Sequence, residues 1–149
     1  MLKAKEIMTA QVITVTPETS VTDLARLLAS HNISGAPVVD ASGGLLGVVT
    51  ENDLIDQTKK IHIPTVIAIL DSLIFLERPN KMEKDIRKFA GSTVADIYSK
   101  NPITVDEDTP LEELATIMAE KNMHTLPVMR GLQLVGVIGK GDIIKTLIS

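Results

Sequence analysis

Short apolar runs and helical stripes follow one another along this chain in an order that occurs twice. Val12–Val15 reads as a short strand, and Ser20-Val-Thr-Asp23 opens a helix with capping-box spacing. Leu24, Ala25 and Leu28 continue that helix at the spacing of one buried face. A second strand, Ala36–Val39, is entered through Pro37. The polar stretch Asp40–Gly44 is a tight turn before a third strand, Leu45–Val49. A final helix starts near Glu51. Downstream, Ile103–Val105 is again strand-like. Thr109-Pro110 reads as a cap followed by proline at the first helical position. Leu111, Leu114, Ala115 and Met118 form the helix's stripe. Then come a strand at Leu126–Met129, a turn at Arg130-Gly131, a strand at Leu134–Ile138 and a helix from about Lys140.

The two strings are copies. Glu6–Asp40 laid on Asp96–Arg130 matches at 11 positions, Asn32, Pro37 and Val38 among them. With one deletion, Gly43–Ile55 lies on Leu132–Ile144 and matches at 5, including Gly47 and Asp53. The organisation is a first β-α-β-β-α repeat at 1–56, an insert at 57–91 and a second repeat at 92–149. One copy alone is too small to bury two helices against a three-stranded sheet. An α+β fold in which the copies pack sheet to sheet about a pseudo-twofold axis solves this, and the axis generates two equivalent clefts.

The insert has its own pattern. Pro64 suits a first helical turn, and Val66, Ile67, Ile69, Leu70, Leu73, Ile74 and Phe75 cover most of that helix's circumference, so it must be buried on several sides. Glu77-Arg-Pro-Asn80 breaks it. A second helix with Met82, Ile86 and Phe89 on one face runs to Gly91. Residues 57–91 carry a net charge of +3 against −7 for the rest. A solvated basic face is the preferred explanation of that charge, and a phosphate-binding or partner-docking face is the alternative. The apolar excess predicts that the insert clamps the copies together or builds a dimer interface.

Composition narrows the chemistry. The 149 residues contain no cysteine and no tryptophan. Disulfide scaffolds, thiolate zinc sites and cysteine nucleophiles are excluded. Phe75, Phe89 and Tyr98 are too few for base-stacking platforms. His31, His62 and His124 lack the spacing of a metal motif. The N-terminus has no signal-peptide core, and the greasiest stretch, 61–76, is too short to span a bilayer. A cytoplasmic protein without membrane attachment is expected. The net charge of −4 disfavours nucleic acid as a partner.

Thr50-Glu-Asn-Asp53 lies where a strand gives way to a helix. Free amide hydrogens there attract anions, a threonine hydroxyl donates to phosphate, and a carboxylate accepts from the two hydroxyls of a ribose. Thr-x-x-Asp is equally the spacing of a capping box, and the residues alone leave both open. The second copy keeps Asp142 but has Gly139 where Thr50 stands. Lys140 is either a substitute charge or a solvated side chain.

Asn-Ile-Ser-Gly-Ala-Pro-Val-Val (32–39) and Gly-Val-Val-Thr-Glu-Asn-Asp (47–53) resemble the CBS (cystathionine β-synthase) domain. So do Asn-Pro-Ile-Thr-Val (101–105), Leu-Pro-Val (126–128) and Gly-Val-Ile-Gly-Lys-Gly-Asp (136–142). Together they look like a CBS pair, or Bateman module. The resemblance implies a regulatory, non-catalytic module that binds an adenosyl ligand (AMP, ADP, ATP or S-adenosylmethionine) between the copies. It also implies a homodimer that signals to another protein. One cleft would combine Thr50 and Asp53 with Ile103, Met123, His124 and Thr125. The other, expected to be weaker, would combine Asp142 with Ile13, Ile33, Ser34, Gly35 and Ala36. Apolar walls and backbone edges suit a flat base, although Ile13, Ile33, Ile103 and Met123 also read as plain core. His124 fits either a phosphate contact or a structural place.

The competing class is a structural or dimerising module with empty clefts, which Gly139 favours for one cleft and Thr50 with Asp53 opposes for the other. An enzyme has the least support: no nucleophile with a base, metal cluster or Walker loop is legible.

Overall fold

A computed structural model describes residues 2–58 and 91–148. The readings of a helical insert fall mostly on 59–90, outside the described residues. The first repeat contains helix α1 (Ala4–Ile7), helix α2 (Val21–His31), strands β1 (Gly35–Val39) and β2 (Leu45–Thr50), and helix α3 (Glu51–Thr58). The second contains a 3-10 turn (Val94–Asp96), strand β3 (Val105–Asp106), helix α4 (Leu111–Glu120), strands β4 (Thr125–Arg130) and β5 (Gln133–Gly139), and helix α5 (Lys140–Lys145).

The hairpins β1–β2 and β4–β5 are antiparallel, and β3 joins β4 in parallel. The strand expected at Val12–Val15 shrinks to one parallel bridge, Val15 to Val38. The reason is competition for the backbone: just upstream, Thr9 exchanges hydrogen bonds with Val137 of β5, which draws this stretch toward the other repeat. Ser20 caps α2 as its spacing predicts, its Oγ accepting the Asp23 N–H at 3.0 Å. Pro110 corrects the reading of α4: it is the N-cap and not the first helical residue. Thr109 is held elsewhere, its N–H donating to Asp106 and its carbonyl accepting from Ala4. Asn32 and Asn122, matched in the internal alignment, both take left-handed backbone (φ 52° and 51°) just past their helices. Asparagine tolerates that conformation better than most residues.

Each repeat has its own apolar cluster, and each cluster is completed by the other. Val15, Leu24, Leu28, Ala36, Val38 and Val49 surround Val94, which comes from the head of the second repeat. Val105, Leu114, Met118, Leu126, Val128 and Ile138 surround Ala4, from the head of the first. The same backbone bonds seat both heads. Ala4 N–H donates to Thr109 and Val94 N–H to Thr19; Lys5 donates to Glu107 and Ala95 to Pro17. Leu111 donates back to Leu2, and Val21 to Ser92. Thr9 pairs with Val137 as Ser99 pairs with Val48. The repeated Gly47 and Gly136 are where the two heads cross a strand. A Cβ at Gly47 would lie 2.7 Å from Tyr98 Cδ2, and one at Gly136 2.8 Å from Met8 Cγ. Neither repeat therefore has a whole core without its neighbour.

Candidate functional site

The repeats meet where β1 and β4 begin. Ser34 Oγ lies 3.5 Å from Thr125 Oγ1. A Cβ at Gly35 would come within 2.9 Å of Thr125 Oγ1 and 3.1 Å of Thr50 Cγ2, so glycine permits this approach. Beside that contact opens a cleft of about 360 Å³, at the small end of the range for small-molecule sites. Asn32, Ile33, Ser34, Gly35 and Pro37 form its first-repeat wall. His124, Thr125, Val137, Gly139 and Gly141 form the second-repeat wall with Asp142 and Lys145. Thr9, Gln11 and Ile13 complete it from the segment that crosses between repeats.

This is the Asp142 cleft, and four of the five residues expected opposite Asp142 line it: Ile13, Ile33, Ser34 and Gly35. Ala36 needs correction, because its side chain is fully buried in the first core. Strand alternation is the cause: Gly35 and Pro37 face the cleft while Ala36 and Val38 face inward. His124 and Thr125, expected opposite Asp53, line this cleft as well. Met123 packs against the second core, and Ile103 is 36% exposed. Neither lines the Asp142 cleft.

The two acidic corners have related geometry. Asp53 Oδ2 accepts the Thr50 N–H at 2.8 Å and its hydroxyl at 3.3 Å, while Asp53 N–H donates to Thr50 Oγ1 at 3.4 Å. A capping box is thus formed, and the Thr50 methyl lies beside Gly35 at the inter-repeat contact, while neither Thr50 nor Asp53 lines the Asp142 cleft. Burial pushes the Asp53 carboxyl above the ordinary range. The Thr50 hydrogen bonds oppose that shift, and the charge of nearby Asp56 adds to it. In the second repeat, Asp142 Oδ2 accepts the Gly139 N–H at 2.8 Å. Asp142 Oδ1 has no protein donor among the described residues. A carboxylate so placed has free acceptor capacity toward a ligand in the cleft.

Lys145 was not foreseen. Lys140, the lysine considered from sequence, is exposed and does not line the cleft, whereas Lys145 does. Helical spacing was the available signal, since residue 145 lies one turn beyond Asp142 on the same face. Thr9, Gln11 and Val137 were missed because nothing local reveals that the head of one repeat crosses to the other. Among the described residues, no group of three or more metal-binding side chains comes together. No helix there is long and apolar enough to cross a membrane.

The family model of the CBS domain matches residues 4–60 and 94–149. The uncharacterized protein MJ1426 of Methanocaldococcus jannaschii is 29% identical over 153 residues, which cover 97% of this chain and 90% of that protein. The chloroplastic CBS domain-containing protein CBSX2 of Arabidopsis thaliana is 29% identical over 144 residues, 91% of this chain but 58% of the plant protein. The crystal structure of CBSX2 in complex with AMP superposes with a TM-score of 0.74 at 26% identity, covering 99% of this chain and 97% of that one. The CBS domain pair of MJ0100, in complex with 5′-methylthioadenosine and S-adenosyl-L-methionine, shares the fold at 24% identity. Its TM-score is 0.72, over 99% and 96% of the two chains. Two matched stretches that span most of the sequence, folded as the same half-domain and completing each other's cores, make this chain a member of the CBS-domain family, with its two domains as a pair.

Proposed function

We propose that the chain is a regulatory module, and not an enzyme, that holds an adenosyl ligand between its two CBS domains and transmits occupancy to a partner protein. The observation that carries this reading is the Asp142 cleft. It is a concave site of about 360 Å³, with walls from both repeats and a carboxylate with one uncommitted oxygen. The AMP complex of CBSX2, a relative that matches nearly the whole chain, supports the ligand class.

In this reading Asp142 accepts from the ribose hydroxyls, and Ile13 and Ile33 flank the base. The backbone at Ser34 and Gly35 reads the base edge, with His124 and Thr125 beside it. Asp53 and Thr50 serve a second cleft, related to the first by the pseudo-twofold axis, together with Ile103 and Met123. Because the walls belong to different repeats, a ligand that prefers one arrangement of them shifts the population toward it. The exposed apolar side chains Ile55 and Ile144, which occupy equivalent places on the last helix of each repeat, together with Leu147 and Ile148, supply a surface for a homodimer.

Calorimetric titration with AMP, ATP and S-adenosylmethionine tests the binding step, on the unaltered protein and on Asp142→Ala and Asp53→Ala. Saturable binding weakened at least tenfold by one aspartate substitution is expected. Absence of binding by all three at millimolar concentration overturns the adenosyl reading in favour of a module with empty clefts.

A further inference from the structure

We propose that Lys145 makes the Asp142 cleft selective for phosphorylated adenosyl ligands over neutral or cationic ones, by pairing with the phosphate while Asp142 holds the ribose. This deepens the adenosyl reading and rests on it. Among the described residues, Asp142 and Lys145 are the charged side chains lining the cleft, and they stand three residues apart on α5. Such pairs lie about 5–6 Å apart at their Cβ atoms. Helical side chains lean toward the N-terminus, so the lysine stem reaches back over the turn that carries Asp142.

The separation matches a nucleotide's own layout, in which one ribose ring and a methylene part the diol from the 5′-phosphate. The ammonium is also available, since Lys145 makes no ion pair among the described residues. It supplies what Gly139 lacks: where the first repeat offers the Thr50 hydroxyl, the second offers no side chain.

The internal alignment sharpens the contrast. Residue 145 is equivalent to Asp56, so the two corners differ by charge inversion at this place as well as by hydroxyl loss. The first corner carries two carboxylates close enough for Asp56 to act on Asp53. The second carries one carboxylate and one ammonium. A phosphate entering the second corner meets a counter-charge. A sulfonium ligand placed there meets repulsion from Lys145.

The test is calorimetric titration of adenosine, AMP and S-adenosylmethionine in an Asp53→Asn background, which replaces the first corner's two-oxygen carboxylate by an amide with one acceptor oxygen and so weakens that corner. AMP is expected to bind about tenfold tighter than adenosine or S-adenosylmethionine, the scale of one partly exposed charge-assisted contact. Lys145→Met should erase most of that preference by weakening AMP alone. Lys145→Arg should retain it, and Lys140→Met, outside the cleft, should change nothing. Raising potassium chloride from about 50 to 300 mM should narrow the AMP–adenosine gap. Equal affinities for AMP and adenosine before Lys145 is altered, or equal weakening of both by Lys145→Met, would overturn the proposal while leaving an adenosyl site in place. Failure of all three ligands, in the Asp53→Asn protein and the unaltered one alike, overturns the adenosyl reading itself.

Discussion

Replacing Val94 by alanine tests the reciprocal cores. Val94 precedes β3 in sequence, yet its side chain is fully buried against Val15, Leu24 and Leu28 of the first repeat. The change removes two buried methyl-sized groups, about 1.6 kcal/mol of transfer free energy at ~0.8 kcal/mol each. A residual cavity adds to this, because Leu24 and Val49 are themselves fully buried and held in place, which limits collapse. A total loss of about 2–3 kcal/mol is expected, lowering the melting temperature by roughly 5–10 °C in calorimetry. The location of the damage is the sharper readout. Amide hydrogen exchange should accelerate first in β1 and β2 of the first repeat, although the altered residue lies at the start of the second. A loss below about 0.5 kcal/mol, or accelerated exchange confined to β4 and β5, would refute the exchange of heads.

Other substitutions probe particular links. Gly136→Ala should destabilise by about 1–3 kcal/mol in denaturant titration, because its methyl would intrude on Met8; neutrality would mean that the first repeat's head is not seated on β5. Asn122→Ala should cost about 1 kcal/mol by chemical denaturation while Asn122→Gly costs little, since its φ of 51° suits glycine; equal costs would assign the effect to the side chain. Asp53, whose carboxyl is pushed up by burial, binds its proton more tightly folded than unfolded. Its contribution to stability is present below the unfolded value and lost as pH rises through the folded one. Asp53→Asn should therefore gain on the unaltered protein as pH rises above the ordinary carboxylate range in parallel melts, and a difference that stays constant with pH would contradict that origin.

What could be read from the sequence was whatever is local or periodic. The capped α2, both hairpins and the starts of α3 and α5 follow from cap spacing, turn residues and alternation, and each is encoded within a few neighbouring residues. The repeat itself was legible because many of its 16 identities fall on places with little freedom, among them the left-handed asparagines, the close-packed Gly47 and Gly136, and buried residues such as Val15, Leu24 and Val38. The crossing of the heads was not legible. Ala4 and Val94 look like ordinary helix or loop residues, and only three-dimensional packing shows which core receives them. The same blindness hid Thr9, Gln11 and Lys145 from the cleft. It also placed Ala36 in the cleft, because a five-residue apolar strand gives no hint of which face turns toward the ligand and which toward the core.

The crossing of the heads also bears on how occupancy of the cleft could be felt elsewhere. Residues 9–13 are a wall of the cleft, and the same segment is anchored at one end to β5 through Thr9 and at the other to β1 through Val15. A ligand that presses on Gln11 or Ile13 therefore loads both sheets at once. It also acts on α1, whose Ala4 plugs the second core only a few residues upstream. Packed cores and paired strands resist continuous deformation and move between discrete arrangements. In the proposed reading, a push on this crossing segment would pass to the seating of α1 and to the angle between repeats. The ligand's leverage is bounded by its difference in affinity for the two arrangements. A ligand that touched one repeat alone would have no such difference to exploit, whereas a cleft with walls from both repeats, residues 9–13 of the first crossing to the second, ties a bound ligand to their relative position.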